Sequence, residues 1–349
     1  MDPQSVPPEA DTPRTSRSDP GRVSVSSSGE AAPIVTVITP AYNVAPYIGE
    51  AVDSVLGQHF RSFEYLVVDD GSTDQTAEEV RRRTDSRLQL VMTPHRGQAA
   101  ALNVGLGRAR GQFVAFLDGD DRWHADFLDR QVATLQSAHS EVAAVFARSR
   151  VISQTGRLYA FRWQRAGHYD FDDMLIGACP PRNGSSLLIR KSAFDAVGYF
   201  RDEQTVGDLD MWLRIQRNSD MPYFLGNNAY LLDVRVRTDA MSRNHSQRFD
   251  NLRHLIDEHS PGLRRYPVGM AYVRAAVFAF RAGYEDVALS WARLAWTAGF
   301  SRLIRHSYGW RLIGWTMLSA RGRVALRSVD AVTRALVGRA ISAPGGLQR

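Results

Sequence analysis

FVAFLDGDDRW, residues 113 to 123, runs from five apolar, β-favouring positions (Phe113 to Leu117) straight into three carboxylates, Asp118, Asp120 and Asp121. An apolar run of that length reads as a buried strand. Acids at its C-terminal end then lie where open α/β sheets bind ligands. Carboxylates crowded this closely repel one another unless a cation sits among them, and hard oxygen ligands suit Mg2+ or Mn2+. One reading is therefore a divalent-cation site for a diphosphate. The other is an acidic strand-to-helix turn in which Asp121 or a neighbour caps the next helix. The stretch by itself fits both.

Upstream, the same strand, turn and helix recur. IVTVITP from Ile34 is a β-branched strand; after AYN, Pro46 suits the first turn of a helix reaching about Gly57. In FEYLVVDDGSTD, Phe63 to Val68 form a strand that ends in Asp69 and Asp70, Gly71 to Thr73 turn, and Thr76 with Glu79 has capping-box spacing. Leu88 to Met92 make a third short strand. The alanines and leucines of HRGQAAALNVGLGRARG then carry a helix back to Phe113. Strands alternating with helices predict an α/β fold with a mostly parallel sheet and right-handed crossovers. The acid pairs of the second and fourth strands open onto one edge of it.

The glycines form neither G-x-G-x-x-G after the first strand nor G-x-x-x-x-G-K-[ST] anywhere. A dinucleotide-binding loop and a P-loop are thereby excluded, and diphosphate binding must rest on metal and carboxylates. With 44% hydrophobic and 23% charged residues in 349, the chain suits one large globular domain with a smaller addition. Its one cysteine, Cys179, excludes an intrachain disulfide and a cysteine-based zinc site. No apolar window is long enough to span a bilayer, and no signal-peptide pattern opens the chain, so the expected location is cytoplasmic.

The runs VTVITPAYNVAPYIGEAVDSVL, VVDDGSTD, the Gly97 to Gly111 segment, FLDGDD, NGSSLLIRKSAFDAVGYFRDE and VGDLDMWLRI, in that order, resemble the inverting family 2 glycosyltransferases of GT-A fold. The resemblance covers about Ile34 to Val236. It implies a catalytic domain over 33–240; residues 1–32, rich in Pro, Ser, Asp and Arg with almost nothing to bury, read as a disordered leader, and 241–349 read by pattern and charge as a basic helical region. It implies transfer of a sugar from a nucleoside-diphosphate sugar, with UDP-sugars favoured, to a hydroxyl of a glycan or lipid-linked acceptor. Carried over residue by residue, Pro40, Ala41, Tyr42 and Asn43 line the nucleoside pocket with Tyr42 against the base, and Asp70 accepts an imide N–H or, alternatively, caps a turn. Arg96 reaches a phosphate. Asp118-Gly119-Asp120 is the DXD motif, in which Asp120 binds Mn2+ or Mg2+ and Asp118 holds ribose or a metal-bound water. Asp208 is the general base. Asn183, Gly184, Ser185, Asp210 and Trp212 lie on the acceptor side, although turn, cap and core roles also fit them. The family usually has Glu before that base, and this chain has Gly207.

The charge is uneven. From Met241 onward 17 arginines face six acids, a formal +11, which leaves the first 240 residues at −5. Tyr272, Ala276 and Phe280, then Val287, Trp291, Leu294 and Ala298 after Gly283, predict a helical hairpin. Leu303 to Leu318 mixes Tyr308, Trp310 and Trp315 with Arg302, Arg305 and Arg311, the composition of a membrane-interface helix or of an ordinary exposed arginine-rich one. A peripheral contact with the inner face of the plasma membrane follows from the first of these. Two other classes remain: an inactive sugar-nucleotide binder, hinted at by Gly207, and a nucleic-acid binder using the basic tail. The tail carries no zinc-finger or RNA-recognition signature, and no nucleic-acid partner is expected.

Overall fold

The computed structural model describes residues 32–175, 183–201, 207–237, 245–263, 265–281 and 283–303. The leader, but for Ala32, and the arginine- and tryptophan-rich segment beyond Leu303 lie outside the described residues.

The first half alternates as the sequence predicts: β1 (Val35–Ala41), α1 (Ala45–Leu56), β2 (Phe63–Asp69), α2 (Thr76–Arg81), β3 (Leu88–Met92), α3 (Gln98–Arg108) and β4 (Phe113–Phe116). Every residue of β1, β2 and β4 is buried, as expected of strands covered on both faces by helices. Pro46 sits in the first turn of α1. The capping box at Thr76 does not form. The Thr76 hydroxyl instead accepts the backbone N–H of Val44 at 2.9 Å and bonds to Asp74, whose carboxylate also takes the Thr76 backbone N–H. Gly105 lets α3 lie against β1, since a Cβ there would come within 2.5 Å of Ile38 Cγ2.

The chain continues through β5 (Arg122–Trp123), α4 (Phe127–Ser137), β6 (Val142–Ile152), β7 (Leu158–Arg162), β8 (Gly167–Tyr169) and α5 (Phe171–Leu175). A 3-10 turn (Gly184–Ser186) then leads to β9 (Leu187–Arg190), α6 (Lys191–Val197), α7 (Gly207–Asn218) and β10 (Tyr223–Arg235). Three helices follow, α8 (His245–His259), α9 (Arg265–Arg281) and α10 (Glu285–Leu303). The strands form one sheet in the order β3-β2-β1-β4-β9-β6-β10-β5, with β7 beside β6 and β8 beside β10. β3, β2, β1 and β4 run parallel. β9 enters antiparallel between β4 and β6, and β10 pairs parallel with β6. The sheet is thus mixed: β9 runs against β4 and β6, which share one direction, and β5, β7 and β8 run against their neighbours.

Two buried clusters flank the sheet. α1 and α4 cover one face through Ile48, Val52, Leu128 and Leu135. On the other, Leu102, Phe194 and Trp212 join Phe249, Leu255, Met270 and Trp291 of the C-terminal helices in a single core. The predicted hairpin is present as α9 and α10, turned at Gly283 with φ +90°, and α8 to α10 are packed onto the sheet. Among the described residues no helix is long and apolar enough to cross a membrane.

Candidate active site

The site is built at the C-terminal ends of β1, β2 and β4. β1 ends in Pro40 and Ala41. The Tyr42 ring follows, 42% exposed and stacked on His95 with centroids 3.9 Å apart. Asn43 takes φ +50°, a region asparagine tolerates better than most residues. Its Oδ1 accepts the N–H groups of Thr73 at 2.8 Å and Asp74 at 3.3 Å, tying the loops after β1 and β2 into one wall.

Asp70 is buried behind that wall. Its Oδ1 accepts the Arg96 N–H at 2.9 Å, its Oδ2 accepts the Gly97 N–H at 2.8 Å, and His95 Nδ1 lies 2.8 Å from Oδ2. Gly97 at φ +93° lets two successive amides turn toward one carboxylate. Asp70 therefore braces the loop that carries His95, and His95 carries Tyr42. A carboxylate oxygen has two acceptor positions, and the Arg96 N–H takes one of those on Oδ1. The Arg96 side chain is exposed at the mouth.

β4 delivers the acids. Asp118 accepts Gln98 Nε2 at 3.0 Å, and its own N–H donates to Ser185 Oγ at 3.0 Å. Burial, then the charges of Asp120 and Asp208, push the Asp118 carboxyl up to about 7. Burial, then Asp118 and Asp120, likewise raise Asp121 well above the usual carboxylate range. Asp121 caps no helix, because α4 begins only at Phe127. Instead its Oδ1 accepts the Arg235 N–H at 2.9 Å and its Oδ2 accepts Asn183 Nδ2 at 3.4 Å. With both oxygens engaged, Asp121 is a brace. Asp120 faces Arg237, whose Nη1 is 3.2 Å from Oδ2.

Asp208 arrives from the first turn of α7, where its Oδ2 accepts the Gly184 N–H at 3.1 Å. This corrects the acceptor reading of Gly184 and Ser185. Ser185 is fully buried, with its hydroxyl on Asp118 and its carbonyl accepting Trp123 Nε1 at 2.8 Å. Gly184 and Ser185 hold Asp208 and Asp118 in place and are not donors for sugar hydroxyls, while the half-buried Asn183 reaches Asp121. For Asp210 and Trp212 the acceptor reading fails, and for Trp212 the core reading holds. Asp210 is fully buried, with Arg214 Nε at 2.9 Å and His259 Nε2 at 3.3 Å. Trp212 is a core residue, 1% exposed and edge-on to Phe200 and Phe224, so its face meets no sugar.

The donor set fits a divalent cation. Asp118 and Asp120 offer hard oxygens in a group of acids that needs positive charge, and Mg2+-type sites use one or two carboxylates together with substrate phosphates. The three ligand-type residues that lie closest together among the described residues, Asp210, Glu258 and His259, do not suit a cation, because Arg214 and Arg201 already occupy them. Sequence reasoning missed Arg235 and Arg237. Arg235 is the last residue of β10 and Arg237 follows two residues beyond it, and both lie over the Tyr47 ring, at 5.0 and 5.1 Å.

The model of glycosyl transferase family 2 matches residues 36–198. TuaG of Bacillus subtilis, a glycosyltransferase assigned by name to teichuronic acid biosynthesis, is 44% identical over 219 residues, 61% of this chain and 82% of its own. WfgD of Escherichia coli, named a UDP-Glc:alpha-D-GlcNAc-diphosphoundecaprenol beta-1,3-glucosyltransferase, is 40% identical over 103 residues, 29% of this chain and 41% of its own. Among solved structures, residues 1–349 of S. aureus TarS with UDP-GlcNAc superpose with a TM-score of 0.60 at 20% identity, covering 77% of this chain and 82% of that one. The Pyrobaculum calidifontis mannosyltransferase PcManGT with GDP-Man and Mn2+ gives 0.56 at 23% identity over 88% of each chain.

Proposed function

We infer the chemistry from one premise: this chain belongs to glycosyl transferase family 2 and is a glycosyltransferase. It uses a nucleoside-diphosphate sugar, with UDP-sugars favoured, and transfers the sugar with inversion to a hydroxyl of a cell-envelope glycan or lipid-linked acceptor. The observation that carries the reading is the convergence of Asp208 with Asp118 and Asp120. Asp208 comes from a helix far along the chain, yet its charge raises the proton affinity of Asp118.

In this reading the Tyr42–His95 stack and Asp70 receive the base, and Asp118 and Asp120 hold Mn2+ or Mg2+. A divalent cation bound there supplies Lewis-acid stabilisation of the charge that grows on the leaving diphosphate. Asp208 takes the proton of the acceptor hydroxyl. The new C1–O bond forms on the face opposite the phosphate as the old C1–O bond breaks, and the nucleoside diphosphate leaves with the bonding electrons. Gly184 and Ser185 keep Asp208 and Asp118 at fixed separation. The names of TuaG and WfgD support a cell-envelope product. The +11 charge after Met241 supports a peripheral contact with an anionic membrane from the cytoplasmic side. Liposome sedimentation of the full chain tests that contact, and binding that does not weaken with salt would argue against it.

The direct experiment is turnover with a panel of nucleotide sugars in Mn2+, with the product anomer assigned by NMR. One donor should be consumed, chelation should stop the reaction, and added Mn2+ or Mg2+ should restore it. Full turnover in excess chelator would remove the metal role, and retention of the anomeric configuration would remove Asp208 as the base. Failure to bind any nucleotide sugar would favour the nucleic-acid reading.

A further inference from the structure

Arg237 stands on the acid assigned to the cation. Its Nη1 is 3.2 Å from Asp120 Oδ2, its side chain is only 12% exposed, and its guanidinium lies over the face of Tyr47. Arg235, two residues earlier, is different in kind. Its N–H groups go to the carbonyls of Asp120, Ser153 and Gln154 and to the Glu50 carboxylate, and its side chain is 1% exposed. Arg235 is a fixed strut, and Tyr47 is held against it. Arg237 shares that aromatic shelf but points to a carboxylate that the proposed reaction needs for something else.

We propose that Arg237 is a leaving-group residue that exchanges partners. Before the donor arrives it neutralises Asp120; once a divalent cation takes that carboxylate, the guanidinium turns to the donor's diphosphate. The proposal rests on the reading of Asp120 as the cation-binding acid. Its physical basis is charge and shape. A cation on Asp120 removes the anion Arg237 was paired with, and the diphosphate brings new negative charge to the same place. A planar guanidinium matches phosphate oxygens bidentately, which an ammonium cannot do. Seating on Tyr47 limits the rotamers it must give up to make the exchange.

The exchange makes two affinities move in opposite directions, which a merely structural arginine would not do. Mn2+ binding to the protein without nucleotide is read from the EPR signal of free Mn2+, and UDP and GDP binding in saturating Mn2+ from calorimetry. Arg237→Ala should bind Mn2+ alone several-fold tighter, since the competing cation is gone, and should bind the nucleoside diphosphate about 10- to 100-fold more weakly. Arg237→Lys keeps a point charge on Asp120, so its Mn2+ affinity should stay near that of the wild type while diphosphate affinity still falls. With a wild type that binds both ligands, an unchanged Mn2+ or diphosphate affinity in Arg237→Ala, or an unchanged diphosphate affinity in Arg237→Lys, would overturn the exchange. A wild type that binds no Mn2+ would instead overturn the metal reading on which the exchange stands.

Discussion

Asp208 and Asp210 stand two residues apart in the first turn of α7, yet they belong to different regions of the molecule. Residues two apart on a helix do not share a face. Asp208 turns toward β4, accepts the backbone N–H of Gly184, and with Asp120 raises the proton affinity of Asp118. Asp210 turns into the core, where Arg214 and His259 bond to it, Arg201 lies 3.5 Å away, and Arg201 itself bonds to Glu258 of α8. One acid joins a cluster of carboxylates in which burial and neighbouring acids raise the proton affinity of Asp118; the other is held by Arg214, Arg201 and His259. A cluster that raises the proton affinity of its own members marks chemistry, and an acid held by cations marks architecture.

The largest effect expected of this difference is on the side of the clustered acids. Asp120→Ala should lose metal-dependent donor binding and turnover together, read by calorimetry with and without Mn2+. Normal donor affinity in that variant would put the cation elsewhere. On the compensated side, Asp210→Ala leaves Arg214 buried without its carboxylate and should cost about 3–5 kcal/mol of stability, measured by denaturant unfolding. A loss below about 1 kcal/mol would mean that the network contributes little.

Acid separates the two regions more gently. Burial works against ionisation of Asp210 and Asp233, but His259, Arg214 and Arg201 for the first, and His124, Arg150 and Arg122 for the second, overcome it and hold both carboxyls below the usual range. Groups depressed in this way contribute stability that is fully present above the ordinary aspartate pKa, near 4, and is lost as pH falls through the folded value. The melting temperature should therefore drop below about pH 4, and the drop should shrink in Asp210→Asn. The smallest effect is at Gly207. Among the described residues a Cβ there meets nothing within 4 Å, so Gly207→Ala should add about 0.4–1 kcal/mol by lowering the entropy of the unfolded chain, and melting curves would detect it.

Much of this was legible in the sequence because the first half is local. Continuous apolar runs such as Val35–Ala41 and Phe63–Asp69 can only be buried strands, and their acids must then fall at one edge. The second half was not legible in the same way. β10 is 13 residues long and reads YFLGNNAYLLDVR, with polar and glycine positions that break its alternation, and its pairing with β6 shifts register three times. That strand delivers Arg235 and Arg237 to acids more than a hundred residues earlier, a pairing no local pattern encodes. Ser185 looked like a ligand because it is polar and near a turn; it is buried because Asp118 needs its hydroxyl. Asp210 and Trp212 were grouped with Asp208 by proximity in sequence, whereas helical geometry alone already sends the i+2 residue to another face.

The contrast within α7 can be put to the most direct test by measuring turnover, donor affinity and melting temperature side by side in Asp208→Asn and Asp210→Asn. Asp208→Asn should keep its melting temperature and donor affinity and lose turnover by about 10²- to 10⁴-fold, the usual contribution of a general base. Asp210→Asn should melt earlier and, below its transition, turn over at the wild-type rate. An Asp208→Asn enzyme that keeps its turnover, or an Asp210→Asn enzyme that loses turnover while folded, would contradict the assignment of the base and of the face of α7 that carries it.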